Sequence, residues 1–308
     1  MHSFRCAIHA QLGFAPEVIE LGRIGRFSTT DRARDKAGWY RVINSGRAGV
    51  FGDFRRNVSS FWTLGRREAM TPIERSIMVR SLALMRAKRD AERRHQWNRN
   101  AQRNLLLWAQ TLPLTGHDPA SRYLESRGLA GPVPQQLRVH PSLTYWEDGD
   151  RSKWPAMVAP LLAPDGRMLA LHRTYLTADG RKAPVSAVKK LTEASGPLAG
   201  ACIPLHAPER GVIGIAEGIE TAQAAHLASG LPTVAAYCAS NLAAYIWPPA
   251  TRRIVVFADA DAAGTTATQT LKARAVRAGL DVKVLTPSTP GMDWCDVWAA
   301  RTLTEVSA

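Results

Sequence analysis

The chain has 308 residues, 45% hydrophobic and 21% charged, the composition of a folded protein with room for two domains or one domain and an appendage. A formal net charge of +14 favours a polyanionic partner, nucleic acid or a membrane surface. No apolar run is long enough to cross a bilayer and no secretory h-region follows Met1, so nucleic acid is preferred, no membrane association is expected, and the expected location is cytoplasmic.

The pattern divides the chain into a small β-rich module (1–70), a basic helical connector (71–117), an α+β subdomain (118–210) and a catalytic subdomain (211–308). In the first, Gly38–Gly46 and Gly49–Arg55 read as strands around a glycine-containing turn. Thr71-Pro-Ile-Glu74 carries an N-cap, a first-turn proline and an acid three residues on, and starts a helix expected to reach about Gln110, with or without a break. Its middle is densely basic: Arg80, Arg86, Lys88, Arg89, Arg93, Arg94, Arg99 and Arg103. A solvated face and a nucleic-acid or partner contact both fit that run; Trp97 and Trp108 fit core contacts or base stacking.

A Pro/Gly-containing connector, 112–117, precedes a short helix from Pro119 that ends near Gly128. From Leu137 to Leu205 the pattern is strand-like, with hairpin signals at Asp165-Gly166 and Asp179-Gly180. Strand and helix then alternate: a strand to Glu217, a helix 221–229, a strand 234–237, a helical stretch near Leu242, a strand ending at Phe257, a helix 265–277, a strand 282–285, and a tail rich in Asp and Trp. Alternation of this kind predicts an α/β fold with a mainly parallel sheet and helices on both faces.

Two buried-looking strands deliver carboxylates at their ends: Glu217, followed by Gly218 and Glu220, and the pair Asp259 and Asp261, followed by Gly264. Functional groups of open α/β sheets gather at the carboxyl ends of strands. Three acids meeting there repel one another unless a cation lies between them, and hard oxygen ligands suit Mg²⁺ or Mn²⁺. Gly218 lets backbone and ligand approach closely. Glu220 has two readings, a first-turn acid favoured by the helix dipole or a supporting metal role. The four cysteines are scattered without a Cys-x-x-Cys pair, so neither a disulfide framework nor a structural zinc is expected.

These motifs resemble the Toprim fold shared by primases, topoisomerases and some nucleases. Glu217-Gly-x-Glu220-Thr221 matches its glutamate motif, Asp259-x-Asp261-x-x-Gly264 its paired aspartates, and Gly291-Met-Asp293, with Asp296 beyond, its later acidic motif; Ala239-Ser-Asn241 sits at its small polar turn. Upstream, Tyr123-Leu-Glu-Ser-Arg127-Gly128-Leu129, Pro155-Ala-Met157, His172–Leu176, Asp179-Gly180 and Lys189-Lys190 are similar to bacterial primases of plasmid, phage and integrative-element type, without their zinc module. The resemblance implies a primase making short primers on single-stranded DNA from nucleoside triphosphates, working with a separate helicase in replication or conjugation. It implies Glu217, Asp259 and Asp261 as catalytic metal ligands, Asp293 and Asp296 as auxiliary ones, and His172, Arg173, Lys189 and Lys190 on a basic ridge touching nucleic acid or nucleotide. A Toprim nuclease and a non-catalytic DNA-binding scaffold are the alternatives. Trp294 and Trp298 are expected to pack at the sheet edge.

Overall fold

In the computed structural model the chain divides into two units, Met1–Glu92 and Arg93–Ala308. The structure describes residues 1–31, 35–43, 46–56, 58–64, 72–147, 149–259, 261–288 and 292–306, without the side chains of 72–79, 81–85, 88 and 301–306. Thr71, Gly291 and the side chains of Glu74 and Lys88 lie outside them.

The first unit opens with a helix the strand-centred reading did not anticipate, α1 (His2–Leu12), which buries Phe4, Ile8 and Leu12 at a spacing of four and closes on left-handed Gly13. It packs on an antiparallel sheet of β1 (Ile24–Phe27), β2 (Gly38–Ile43), β3 (Ala48–Asp53) and β4 (Val58–Thr63), in that order. Alternation sends Phe27, Tyr40, Val42 and Phe51 into the core with the α1 residues. A Cβ on Gly49 would stand 2.5 Å from the Phe4 ring, so this glycine sets how closely α1 approaches the sheet. The basic segment is one 38-residue helix, α2 (Pro72–Ala109), without the break the sequence left open; no glycine or proline follows Pro72 within it.

In the second unit, Asn100 and Asn104 of α2 donate to the carbonyls of Ala194 and Glu193. The expected 112–117 connector contains an edge strand, β5 (Leu112–Pro113), and α3 (Pro119–Ser126) follows, capped by the Asp118 carboxylate on the Ala120 and Ser121 N–H groups. Strands β6 (Arg138–Glu147), β7 (Asp150–Leu162), β8 (Met168–Tyr175) and β9 (Lys189–Leu191) complete an antiparallel sheet ordered β5-β6-β7-β8-β9. Gly166 lies in the β7–β8 turn with φ 83°, as the Asp-Gly signal requires.

The remaining elements are β10 (Ile203–Pro204), β11 (Val212–Ala216), α4 (Ile219–Ser229), β12 (Thr233–Ala235), α5 (Ala239–Ala244), β13 (Arg253–Phe257), α6 (Ala262–Arg277), β14 (Asp281–Leu285) and α7 (Trp294–Val306). Their sheet has the order β10-β12-β11-β13-β14, parallel except for β10. Both faces are covered, which is why β11 and β13 read as continuous apolar runs. Ile213, Ile215, Ile254 and Val256 pack with Leu242 and Leu271, while Ala216 and Phe257 join the core shared with α3, β7 and α4. The tail is a helix, α7, and β12 ends two residues early because Tyr237 adopts φ 61°.

Candidate active site

Ala216 pairs in register with Phe257, so Glu217 leaves β11 beside the point where Asp259 leaves β13. Glu217 is partly buried and accepts from the Ala239 N–H. Burial and then the Asp261 charge raise its carboxyl, against the lowering effects of that hydrogen bond and of Lys189. Asp259 is pushed up to about 6 by burial and by the charges of Glu217, Asp293 and Asp261. Its Oδ1 is buried without a hydrogen-bond partner among the described residues.

Asp261 caps α6: its Oδ1 accepts from the Gly264 N–H at 2.6 Å, so the helix starts at Ala262, earlier than the periodicity predicts. A Cβ on Gly264 would lie 3.2 Å from both the Asp259 carbonyl oxygen and the Asp261 Oδ1. Gly218 has no such constraint, since a Cβ there meets Thr221 and Glu220 at 3.6 and 3.7 Å, ordinary contact distances. Asp293 and Asp296 are joined reciprocally: the Asp296 N–H donates to Asp293 Oδ1 at 2.8 Å, and the Asp293 N–H to Asp296 Oδ2 at 3.4 Å. This capping-box geometry starts α7, and Asp296 also faces Arg127 at 3.8 Å.

Among the described residues no group of three His, Cys, Asp or Glu side chains is gathered tightly enough to hold a metal ion. The donor set nevertheless fits a hard divalent cation. It consists of carboxylates, it contains a buried oxygen without a partner, and neighbouring acid charges raise the carboxyls of Glu217 and Asp259.

Glu220 lies outside that set. Tyr123 donates to its Oε1 at 2.7 Å and Lys189 to its Oε2 at 2.9 Å. Burial would raise this carboxyl, but the Lys189 charge and the two hydrogen bonds outweigh it and hold the group at about 2. Both oxygens are thus engaged in joining α3, β9 and α4. His172 is only 8% exposed; burial lowers it to about 4 against the raising effect of Glu220, and its Nδ1 has no partner among the described residues.

The expected basic quartet is divided by strand alternation. Arg173 and Lys190 are cross-strand partners, whereas His172 and Lys189 belong to the alternate positions. Arg173 donates to the Leu191 carbonyl and the Tyr175 hydroxyl, and Lys190 donates to the Trp146 carbonyl with its Nζ 3.7 Å from the Tyr145 ring centroid. Tyr123 was visible as part of a helix motif, but its bond across 97 residues has no local signal in sequence. Trp294 meets Phe257 edge-on and Trp298 donates to the Gly128 carbonyl, so both pack; Phe257 is on β13, one strand in from the edge expected for them.

Acids thus stand at the ends of β11 and β13, the two central members of the four parallel strands. Residues 212–302 match the Toprim domain family, and residues 98–203 match a domain of unknown function, DUF7146. The C-terminal part of the chain is therefore a Toprim domain. Among solved structures, the chain is similar to a DnaG primase catalytic domain bound to ssDNA (15% identity, 70% of this chain and 81% of that one, TM-score 0.48). It is also similar to the Aquifex aeolicus primase, zinc-binding and RNA polymerase domains (16%, 99% and 83%, TM-score 0.43), and to a DNA primase domain from Pseudomonas aeruginosa (14%, 61% and 70%, TM-score 0.41). No curated protein matches it.

Proposed function

We propose that the chain is a primase that synthesises short oligonucleotides on single-stranded DNA from nucleoside triphosphates. The observation that carries this reading is Asp259: a buried, partnerless carboxylate oxygen among three acids, in a Toprim domain. Glu217, Asp259 and Asp261 would hold Mg²⁺ or Mn²⁺, with Asp293 as an auxiliary acid and Asp296 engaged in the α7 cap. When bound, the cation neutralises phosphate charge and lowers the pKa of the attacking hydroxyl. Glu217, whose carboxyl burial and the Asp261 charge raise, would accept the proton of the 3′-hydroxyl as its oxygen attacks the α-phosphate and pyrophosphate leaves. Asp261 and Gly264 fix where the acids stand, and the Tyr123–Glu220–Lys189 linkage holds α4, which follows Glu217 directly. Arg173 and Lys190 supply positive charge on the neighbouring antiparallel sheet, where template or nucleotide phosphates would lie.

Among the described residues no helix is long and apolar enough to cross a membrane. The net charge of +14 fits a role on DNA, and the upstream motif resemblance points to a cytoplasmic primase of a plasmid or other mobile element, in replication or conjugation beside a separate helicase. Incubation with mixed single-stranded templates, labelled nucleotides and Mg²⁺ or Mn²⁺ tests the reading. Short products from wild type and none from Asp259→Ala are expected. Asp259-dependent cutting of the template without synthesis would replace the primase by a nuclease, and template binding with neither activity would leave a scaffold.

A further inference from the structure

The four-stranded sheet of the first unit has a second face that α1 does not cover. Registers place Ile24 opposite Arg41, Arg26 opposite Trp39, and Val50 opposite both Arg41 and Phe61, so these side chains share that face. The face forms a hollow of about 360 Å³ lined by Trp39, Arg41 and Phe61, with Arg86 and Arg89 of α2 beside it. Phe61 is 40% exposed, and Phe54, just beyond β3, is 60% exposed. The Arg26 guanidinium lies 4.5 Å from the Phe54 ring centroid, and the Trp39 and Phe54 ring centroids are 5.6 Å apart, so a cation and two rings cluster at this edge of the face.

Aromatic rings left on a sheet face in water mark a binding surface. Arg41, Arg86 and Arg89 hold no ion pair or side-chain hydrogen bond among the described residues, and no carboxylate lines the hollow. A second copy of the same face would set arginines against arginines, which is repulsive. A duplex hides the faces of its bases, whereas a single strand offers both phosphates for the arginines and free base faces for the rings. We infer that this face is a single-stranded nucleic-acid binding platform, separate from the Toprim carboxylates.

The test uses the full chain without divalent metal or nucleotides, so it is independent of whether the Toprim site is catalytic. Binding of a fluorescein-labelled 12-nucleotide single strand is followed by anisotropy for wild type, Phe61→Ala and Arg41→Gln/Arg86→Gln/Arg89→Gln. Neither variant touches the α1 core, and circular dichroism checks their folding. A weakening of about tenfold is expected for Phe61→Ala, within the range of one lost base stack. An abasic strand of equal length should bind wild type more weakly and lose nothing further in Phe61→Ala. Strands carrying 5-iodouracil should crosslink to the tryptic peptides holding Trp39 or Phe61. Equal binding of abasic and normal strands, crosslinks confined to residues after Arg93, or a change of oligomeric state as the only effect of Phe61→Ala would each overturn the proposal.

Discussion

At the scale of single residues, Glu220 and Asp259 show the same carboxyl group driven in opposite directions by its surroundings. Glu220 is held at about 2 by Lys189 and Tyr123, below its ordinary 4.5, so the folded state prefers its ionised form. Its stabilising contribution is complete above pH 4.5 and is lost as pH falls from there through about 2. His172, neutral in the fold down to about 4, acts in the same direction: the unfolded chain binds its proton first, so stability falls between pH 6.5 and 4. His172→Gln should flatten the 6.5-to-4 limb of a denaturation-against-pH curve, while leaving the lower limb in place. Lys189→Met should leave a buried charge unpaired and cost about 3 kcal/mol at pH 7, read by urea denaturation. The pair Asp259 and Asp261 was legible in the sequence because strand ends and acids are local patterns. The bond between Tyr123 and Glu220 was not, because it depends on how two distant helices meet.

Elements were legible to the extent that their signals were local. The strand runs of β11 and β13 and the Asp-Gly turns could be read directly, as could the spacing behind α3. Two helices were missed. α1 carries its only signal in Phe4, Ile8 and Leu12 before Gly13, and α7 begins in an acidic, tryptophan-rich stretch whose cap needs Asp293 and Asp296 read as a reciprocal pair. Phe4→Ala should therefore be severe, because Phe4 meets Tyr40, Phe51 and Trp62 in a small core. A loss of about 3–5 kcal/mol is expected from the first unit by chemical denaturation. At α6, Asp261→Ala should remove the N-cap at a cost of about 1 kcal/mol while abolishing synthesis. A comparable stability loss with synthesis retained would assign Asp261 to the helix alone.

For the whole molecule, a net charge of +14 favours a polyanionic partner, as the sequence analysis expects, and such binding should weaken with salt according to the phosphates contacted. The sequence could not place that charge, since Arg173 and Lys190 are tied into strands while Arg41, Arg86 and Arg89 have no partner among the described residues. Removing the last three should reduce the slope of log K against log salt by about 2 for a single strand, at about 0.7 per phosphate contact. Mg²⁺ at about a hundred times its dissociation constant should stabilise wild type by about 2.7 kcal/mol and leave Asp259→Asn unmoved, read as a shift in thermal midpoint.

The most direct measurement is formation of the first phosphodiester bond: dinucleotide made from nucleoside triphosphates on single-stranded DNA, by wild type and by Asp259→Asn, with and without Mg²⁺ or Mn²⁺. Dinucleotide that requires both the cation and the Asp259 carboxylate is the predicted result. Dinucleotide from Asp259→Asn at the wild-type rate, or none from wild type with any template and either cation, would contradict the assignment of these carboxylates to nucleotidyl transfer.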